Sequence, residues 1–557
     1  MGTLNRQLVS LVALSTIFCG FTAMGHAHEG DGSTEPVEKL GTIQFPISCR
    51  PEVQPRFQRA VAMLHSFWYP ETLKAFGEVL EADPGCAMAY WGLAMSNRPN
   101  PFVPPDQKSL ARGWEAVQMG RALGTGTTRE KAYLDAVAEY FRDHETIEQR
   151  TRTLNYEQAM RTLAKTYPED DEARIFYALA LTETALMNAV MTGDTTLDRQ
   201  IEAGEILERL WRTHPDHPGI PHYIIHAYDD PRLARQALAA ANRYGEIAPS
   251  APHALHMPSH TYATLGMWEE SIRANEASMA AAKALTLKAA PGSHDPAWLH
   301  AMDFLTFDYL QVGQDHKAAE MLEERYRVTI LTAERVSVGI MLSIIPARYV
   351  IERQAWSAAA NLEVTGPIGD KYPQAEAITW FTRGLGAARI SDLSSARASL
   401  VRLEELKAAL EKTKQTFWVA QTQMQIDAIS AWIALAELRT DDALRLMRSS
   451  VETQRLAGRH PSLENRLVPM RELLGDILLQ LQKYDEAAAE FERSLEEDPN
   501  RFRAYYGAAK SYRLSGNDER ARYYFDRLLT LAASADTDRP ELREAKMAVS
   551  HRGKVSR

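Results

Sequence analysis

The sequence predicts an all-α protein whose helix pairs stack into an α-solenoid, and three observations support this fold class. Apolar residues recur at helical spacing through most of the chain. Signals for β-strands are nearly absent. Residues near the C-terminus repeat with an offset of 34 positions. The chain has 557 residues, which is too long for one core but suits an array of repeats.

The clearest repeat consists of two successive units near the C-terminus. In each unit the first helix packs an apolar face against its partner, and a small residue marks the close approach of the two helices. Asp498-Pro499 ends the first unit, because proline cannot continue a helix. The matched positions are Leu474, Gly475, Leu478, Ala487 and Phe491 in the first unit and Ala508, Ala509, Tyr512, Ala521 and Phe525 in the second.

These residues resemble the tetratricopeptide repeat, whose period is 34. Similar packing, helix-ending and turn residues recur around Phe76, Asp83-Pro84 and Gly266. Residues 330–460 keep the helical pattern but lose the motif residues. The resemblance implies a right-handed superhelix with a concave groove lined by the first helix of each pair. It also implies that the groove holds a peptide, a protein or a small molecule.

The N-terminus predicts export to the periplasm or the extracellular space. Arg6 is followed by an apolar run, Leu8 to Ala23, and then by the small-x-small sequence Gly25-His26-Ala27. This pattern is typical of a secretory signal cleaved after Ala27. An uncleaved anchor helix is the alternative, although the run is short for a membrane span.

The remaining chain divides by the quality of the repeat. We expect a signal peptide at 1–27, an extended leader at 28–52 and N-terminal repeats at 53–298. Degenerate repeats follow at 299–465, two well-matched units at 466–535 and a polar, basic tail at 536–557.

The charge of the chain disfavours nucleic acid as a partner. The formal net charge is −10 at pH 7, and no long basic tract is present to contact phosphates. After the signal, no stretch of the sequence is apolar enough to predict a transmembrane segment.

Cys49 and Cys86 each come just before the first helix of consecutive predicted repeats. Export permits a disulfide between them. Two unpaired buried thiols are the alternative, and the sequence does not decide between the two.

Histidines mark the candidate functional region. Five of the 16 histidines fall between residues 222 and 260, and the repeat brings them into register, since His222 and His256, and also His226 and His260, differ by 34 positions. The i, i+3, i+7 spacing of His253, His256 and His260 puts them on a stripe that faces the groove in tetratricopeptide repeats.

Further candidates lie nearby. Alignment of the next unit places His300 at the position of His253 and Asp303 at the position of His256. Asp229 or Asp230 could orient an imidazole by accepting its N–H. Imidazole-rich sites suit copper, zinc or iron. The sequence therefore predicts a transition-metal site with His222, His226, His253, His256, His260, His300 and Asp303 as ligands, and the surplus of histidines allows a second ion.

Two other interpretations of the histidines stay open. They could serve as neutral hydrogen-bond donors in a peptide-binding groove, or as a pH-sensing cluster. His65 is expected to be packed or groove-lining, and His214 and His217 are expected to cap a helix or to be exposed.

The function class also stays open. The protein is a metal-dependent enzyme, a metal-free scaffold that binds peptides or proteins, or a carrier that delivers a metal. The sequence contains no Gly-rich phosphate loop, no serine nucleophile motif and no HExxH motif.

Overall fold

The computed structural model describes residues 38–98, 100, 105–192, 196–363, 368, 371–458 and 463–550. The predicted signal peptide with its cleavage site, leader residues 28–37 and tail residues 551–557 lie outside this set. Residues from Lys39 onward form one unit.

The predicted all-α fold is confirmed. The described residues contain no β-strand, and an isolated bridge joins His294 to Leu331. Two short 3-10 helices cover Pro51–Val53 and Ala234–Ala237. The helices of the N-terminal part are α1 (Gln54–His65), α2 (Tyr69–Ala82), α3 (Ala87–Ser96), α4 (Gln107–Ala122), α5 (Thr128–Phe141), α6 (Gln149–Thr166), α7 (Asp171–Thr192), α8 (Asp198–Trp211), α9 (Gly219–Ala227), α10 (Leu238–Ile247), α11 (Pro252–His256), α12 (Pro258–Thr264) and α13 (Trp268–Ala289).

The array continues without a change of architecture. Each helix packs against the next helix in the chain, and many also contact the one after it, as in a solenoid. The following helices are α14 (Pro296–Gln311), α15 (Asp315–Tyr326), α16 (Val336–Glu352), α17 (Trp356–Ala360), α18 (Pro373–Arg389), α19 (Leu393–Lys412), α20 (Thr416–Ala436), α21 (Thr440–Ala457), α22 (Met470–Gln480), α23 (Tyr484–Glu497), α24 (Phe502–Leu514), α25 (Asp518–Leu531) and α26 (Pro540–Ser550).

Glycines explain how closely the paired helices approach. A Cβ atom added to Gly475 would lie 2.7 Å from the Phe491 ring, and one added to Gly92 would lie 2.3 Å from Phe76. The turn between the two helices of a pair needs a left-handed residue, and Gly266 supplies it with a φ of 69°. The turn between α1 and α2 instead has Phe67 at a φ of 52°.

The leader and the later repeats both contact the middle of the array. Thr42 N donates to the carbonyl oxygen of Asp216 at 2.9 Å, and Trp268 Nε1 donates to the carbonyl oxygen of Asn500 at 2.7 Å. Arg539 forms a buried ion pair with Asp315. These long-range contacts hold the stacked helices in one arrangement around residues 216–315.

Cys49 and Cys86 form a disulfide, with Cα atoms 5.0 Å apart. It ties the leader to the start of α3 and answers the question that the sequence left open. Among the helices described, none combines the length and the apolar character needed to cross a membrane.

Candidate metal centre

Six of the predicted ligands lie on four neighbouring helices. Helix α9 carries His222 and His226, α11 carries His253 and His256, α12 carries His260, and α14 carries His300. Pro258 separates α11 from α12 within what would otherwise be one helix, because its ring and missing N–H interrupt the helical hydrogen bonds.

The structure sorts these six histidines into two groups of three. The first histidine group is His222, His226 and His253, and the second histidine group is His256, His260 and His300. Within each group, one nitrogen from every ring lies within 4.8 Å of the other two. The grouping crosses the repeat boundary, since His253 joins the histidines of the preceding repeat.

Hydrogen bonds fix the orientation of His222 in the first histidine group. Its Nδ1 donates to the carbonyl oxygen of His65 at 2.5 Å, and its Nε2 lies 3.1 Å from Nε2 of His253. A carbonyl oxygen only accepts, so the proton of the neutral His222 ring is on Nδ1. The Nε2 lone pair of His222 therefore points at His253.

The second histidine group is anchored in the same way. His256 Nδ1 donates to Asn275 Oδ1 at 2.7 Å, and His260 Nδ1 donates to Asp229 Oδ2 at 2.9 Å. The two Nε2 atoms lie 3.0 Å apart. Nδ1 of His300 is buried without a hydrogen-bond partner among the described residues.

This arrangement could hold a metal ion. Ligand nitrogens about 2.0–2.1 Å from a tetrahedral ion lie about 3.3 Å from each other, close to the distances within both Nε2 pairs. Outward Nδ1–H bonds to a carbonyl, an amide or a carboxylate are also how metal-binding histidines are usually oriented.

Burial keeps most of these rings neutral and ready to bind a cation. It lowers the pKa of His222 and of His300 to about 3. The pKa values of His226, His253 and His256 are lowered as well, first by burial and then by neighbouring histidines. At His260 burial is opposed by Asp229, and the pKa is raised.

The two groups are adjacent. The ring centroids of His253 and His256 lie 6.2 Å apart, and those of His226 and His260 lie 6.3 Å apart. Three protein ligands per ion leave a coordination position open for water or another small ligand. An ion at such a position can acidify a bound water or polarise a bound carbonyl group.

Two predicted carboxylates do not join these groups. Asp303 Oδ1 accepts from Arg348 Nε at 2.9 Å, so this carboxylate pairs with a buried guanidinium instead of joining the histidines. Asp230 binds the guanidinium of Arg232 through both carboxylate oxygens. Asp229, in contrast, orients His260 in the way the sequence suggested.

Sequence reasoning missed Glu464, which approaches the second histidine group from the loop between α21 and α22. Its Oε1 lies 4.0 Å from His300 Nε2, and burial raises the pKa of Glu464 to about 8. No signal in the sequence could have found this residue, because it follows the stretch where the repeat motif is eroded.

A second buried cluster contains His65, Glu172 and His217. Nε2 of His65 and Nε2 of His217 donate to the two oxygens of Glu172 at 2.9 and 3.0 Å. Nδ1 of His65 accepts from Tyr223 Oη at 2.9 Å, and Nδ1 of His217 accepts from Gly219 N at 3.1 Å. His217 is therefore not exposed, but it caps a helix as expected, because its Nδ1 accepts from the first backbone N–H of α9.

Comparison with known proteins identifies the C-terminal repeats. Residues 473–536 match the model of the tetratricopeptide repeat, which confirms the resemblance. No curated protein matches the chain. The chain is similar to the human IFIT1 dimer with PPP-AAAA, at 12% identity over 85% of this chain and 89% of that chain, with a TM-score of 0.33. It is also similar to the APC/C hetero-tetramer Cut9-Hcn1, at 12% identity over 89% of this chain and 95% of that chain, with a TM-score of 0.26. At these TM-scores neither likeness bears on function.

Proposed function

We propose that this protein is an exported tetratricopeptide-repeat solenoid that binds two transition-metal ions, one in each histidine group. Zinc, copper and iron are the ions that suit imidazole ligands. The single observation that supports the proposal most is the orientation of the rings. In each group two Nε2 atoms lie within 3.1 Å of each other, while the outer nitrogens of His222, His256 and His260 are held by acceptors.

A purely structural role accounts for this orientation only while one ring of each facing pair carries a proton on Nε2. Two neutral imidazoles whose Nδ1 atoms both carry the proton would bring their Nε2 lone pairs together, which is unfavourable without a cation between them. His256 and His260 have this arrangement when both are neutral, since Asn275 and Asp229 accept from their Nδ1 atoms. A bound ion resolves the conflict by accepting both lone pairs.

The experiment is a metal count on purified full-length protein. The protein is stripped with a chelator, reconstituted separately with zinc, copper or iron(II), desalted and measured by inductively coupled plasma mass spectrometry. We expect two ions per chain, one lost in His222→Ala/His253→Ala and the other lost in His256→Ala/His260→Ala. His316→Ala is the matched control, because this histidine is 81% exposed on α15.

Each result has a clear meaning. Two ions in the wild type, with one lost from each double variant, support the proposal. A wild-type protein that takes up none of the three metals contradicts it, and so does metal that stays bound when all four histidines are replaced.

A metal-free scaffold is the second candidate function. The tetratricopeptide match at 473–536 favours it, because such repeats commonly present a concave binding surface. This function and metal binding use different parts of the chain and are compatible. A pull-down of peptides by metal-free protein with and without residues 466–550 would test the scaffold role.

Export rests on the N-terminal sequence and is part of the proposal. N-terminal sequencing of protein recovered from the exporting compartment tests it, and we expect the mature chain to begin at His28. A mature chain that still begins at Met1 would contradict cleavage.

A further inference from the structure

We propose that Asp308 is a positioning residue of the second histidine group, and that it acts through Ser271 and Asn275 to keep the Nε2 lone pair of His256 available to an ion. This inference rests on the proposed metal binding and adds an inner support that is not itself a ligand. Asp308 lies on α14, the helix that also carries His300.

The carboxyl group of Asp308 is fully buried and only half of it is hydrogen-bonded. Its Oδ2 accepts from Ser271 Oγ at 2.5 Å, whereas its Oδ1 is buried without a hydrogen-bond partner among the described residues. Burial raises the pKa of Asp308 well above its usual value, but a carboxyl group keeps an acceptor oxygen even when it is protonated. Burying such a group costs free energy that an apolar residue would not, so packing alone does not explain it.

Ser271 joins Asp308 to the amide of Asn275, which lies one turn later on α13. Because the hydroxyl proton of Ser271 goes to Asp308, its oxygen is left to accept. Asn275 Nδ2 donates to this Oγ at 3.4 Å and to the Ser271 carbonyl oxygen at 3.0 Å. All three side chains are fully buried, so they depend on each other for hydrogen bonds.

The orientation of the Asn275 amide decides where His256 carries its proton. With Nδ2 facing Ser271, Oδ1 faces His256 Nδ1 at 2.7 Å. An amide oxygen only accepts, so the neutral ring has its proton on Nδ1 and its lone pair on Nε2, which lies 3.0 Å from His260 Nε2. In the reversed amide, Nδ2 would face the ring, and the proton would move to Nε2 and block an ion.

Asp308 suppresses this reversed arrangement. A Ser271 hydroxyl without an acceptor can rotate and donate to an amide oxygen, which favours the reversed amide of Asn275. The carbonyl oxygen of Ser271 opposes the reversal, since it can accept only from Nδ2. We therefore expect the loss of Asp308 to weaken the second histidine group without abolishing it.

The test is zinc affinity of metal-free, full-length protein, measured by competition with a chromogenic chelator. All variants carry His222→Ala/His253→Ala, which removes the first histidine group. We expect Asp308→Leu to weaken zinc binding by about 10-fold, at the lower end of the effect of residues that orient a ligand. Asp308→Asn should bind as the unaltered background does, because its amide oxygen can still accept from Ser271.

A double variant separates this role from a merely structural one. Ser271→Ala removes the hydroxyl that would favour the reversed amide, so Asp308→Leu/Ser271→Ala should recover most of the affinity that Asp308→Leu loses. Asp308→Ala makes the same change with a smaller side chain, should the leucine not fit. Thr306→Val is the matched control on α14, because the buried Thr306 hydroxyl bonds the carbonyl oxygen of Met302 instead.

Nitrogen chemical shifts of histidine-labelled, metal-free protein show directly which ring nitrogen of His256 carries the proton. We expect Nδ1 in the wild type and a mixture of Nδ1 and Nε2 in Asp308→Leu. Undiminished zinc affinity in Asp308→Leu, a double variant that binds no better than Asp308→Leu, or a proton that stays on Nδ1 in Asp308→Leu would each overturn this inference and leave metal binding intact. A wild type that binds no zinc, copper or iron would overturn the proposed function itself.

Discussion

A hydrogen bond from His222 Nδ1 to the carbonyl oxygen of His65 joins the first histidine group to a second kind of histidine cluster, yet the chemistry of the two differs. In the Glu172 cluster (His65, Glu172 and His217) each ring nitrogen has a partner of opposite hydrogen-bonding character. In the two histidine groups, Nε2 atoms face each other instead.

If the histidine groups bind metal as proposed, the position of the proton on each ring, more than the number of histidines, separates them from the Glu172 cluster. The Glu172 cluster is a closed network in which the negative charge is matched by two N–H donors. In each histidine group, one nitrogen of every ring lies within 4.8 Å of the other two, so the three could bind one cation. Four changes test this contrast, and they follow in order of expected effect.

Removal of the Glu172 carboxylate should have the largest effect on stability. Glu172→Ala leaves two buried N–H groups without an acceptor, and we expect the free energy of unfolding to fall by about 3–5 kcal/mol. Metal content per folded chain should not change. Urea denaturation followed by circular dichroism, with metal analysis of the same samples, measures both quantities.

Glu205→Ala is the control for this change, because Glu205 is 60% exposed on neighbouring helix α8. If Glu172→Ala left stability unchanged and abolished metal binding, the Glu172 cluster would be a metal site and the contrast would fail.

Acid should destabilise the metal-free protein through the histidine groups. The folded-state pKa of His222 and His300 is about 3, below the usual unfolded value of about 6.5. The unfolded chain therefore binds protons first, and stability is complete above about pH 6.5 and falls below it. His260, whose pKa is raised, offsets part of the loss.

From pH 7 to 6 we expect a loss of about 2–3 kcal/mol summed over the histidines whose pKa is lowered. Melting temperatures of metal-free protein at the two pH values measure it. The loss should be smaller in His222→Asn/His253→Asn. A melting temperature that rises on acidification would show that these rings are charged in the folded state.

Loss of the Asn275 amide should weaken the second histidine group without unfolding the protein. Asn275 Nδ2 donates to the carbonyl oxygen of Ser271 at 3.0 Å, which turns Oδ1 toward His256. We expect Asn275→Ala to lower zinc affinity at this group about 10- to 100-fold, measured by competition with a chromogenic chelator. Asn242→Ala is the control, since Asn242 bonds Tyr262 instead of a histidine. Equal affinities in the two variants would refute the orienting role of Asn275.

Phe67→Gly should have the smallest net effect on stability. A left-handed non-glycine residue costs about 1–2 kcal/mol, so glycine relieves strain at this turn, while the lost ring contacts with His226 and His253 act in the opposite direction. We expect a melting temperature close to that of the wild type. Zinc in the first histidine group should exchange faster, as measured with isotopically labelled zinc. Unchanged exchange would show that the Phe67 ring does not shield this site.

The sequence predicted both the helices and the general location of the histidine groups, because both follow from the 34-residue repeat. A 34-residue repeat places His222 above His256 and His226 above His260, so any stacked array brings these side chains together. The division into groups was not predictable. It separates His253 from His256, although both lie on α11, and it joins His256 to His260 across Pro258.

The roles of the carboxylates depend on the curvature of the array, which helical periodicity does not encode. Asp303 was a reasonable ligand by alignment, but the fold brings Arg348 onto it. The same curvature brings Glu464 to His300 from another part of the chain. His65 and Glu172, from different repeats, meet for the same reason.

The most direct test of the central contrast is anomalous X-ray diffraction from crystals of zinc-loaded protein, with data at both sides of the zinc absorption edge. The account predicts one anomalous peak among His222, His226 and His253, a second among His256, His260 and His300, and none at the Glu172 cluster. An empty pair of histidine groups, or a peak between His65, Glu172 and His217, would contradict it.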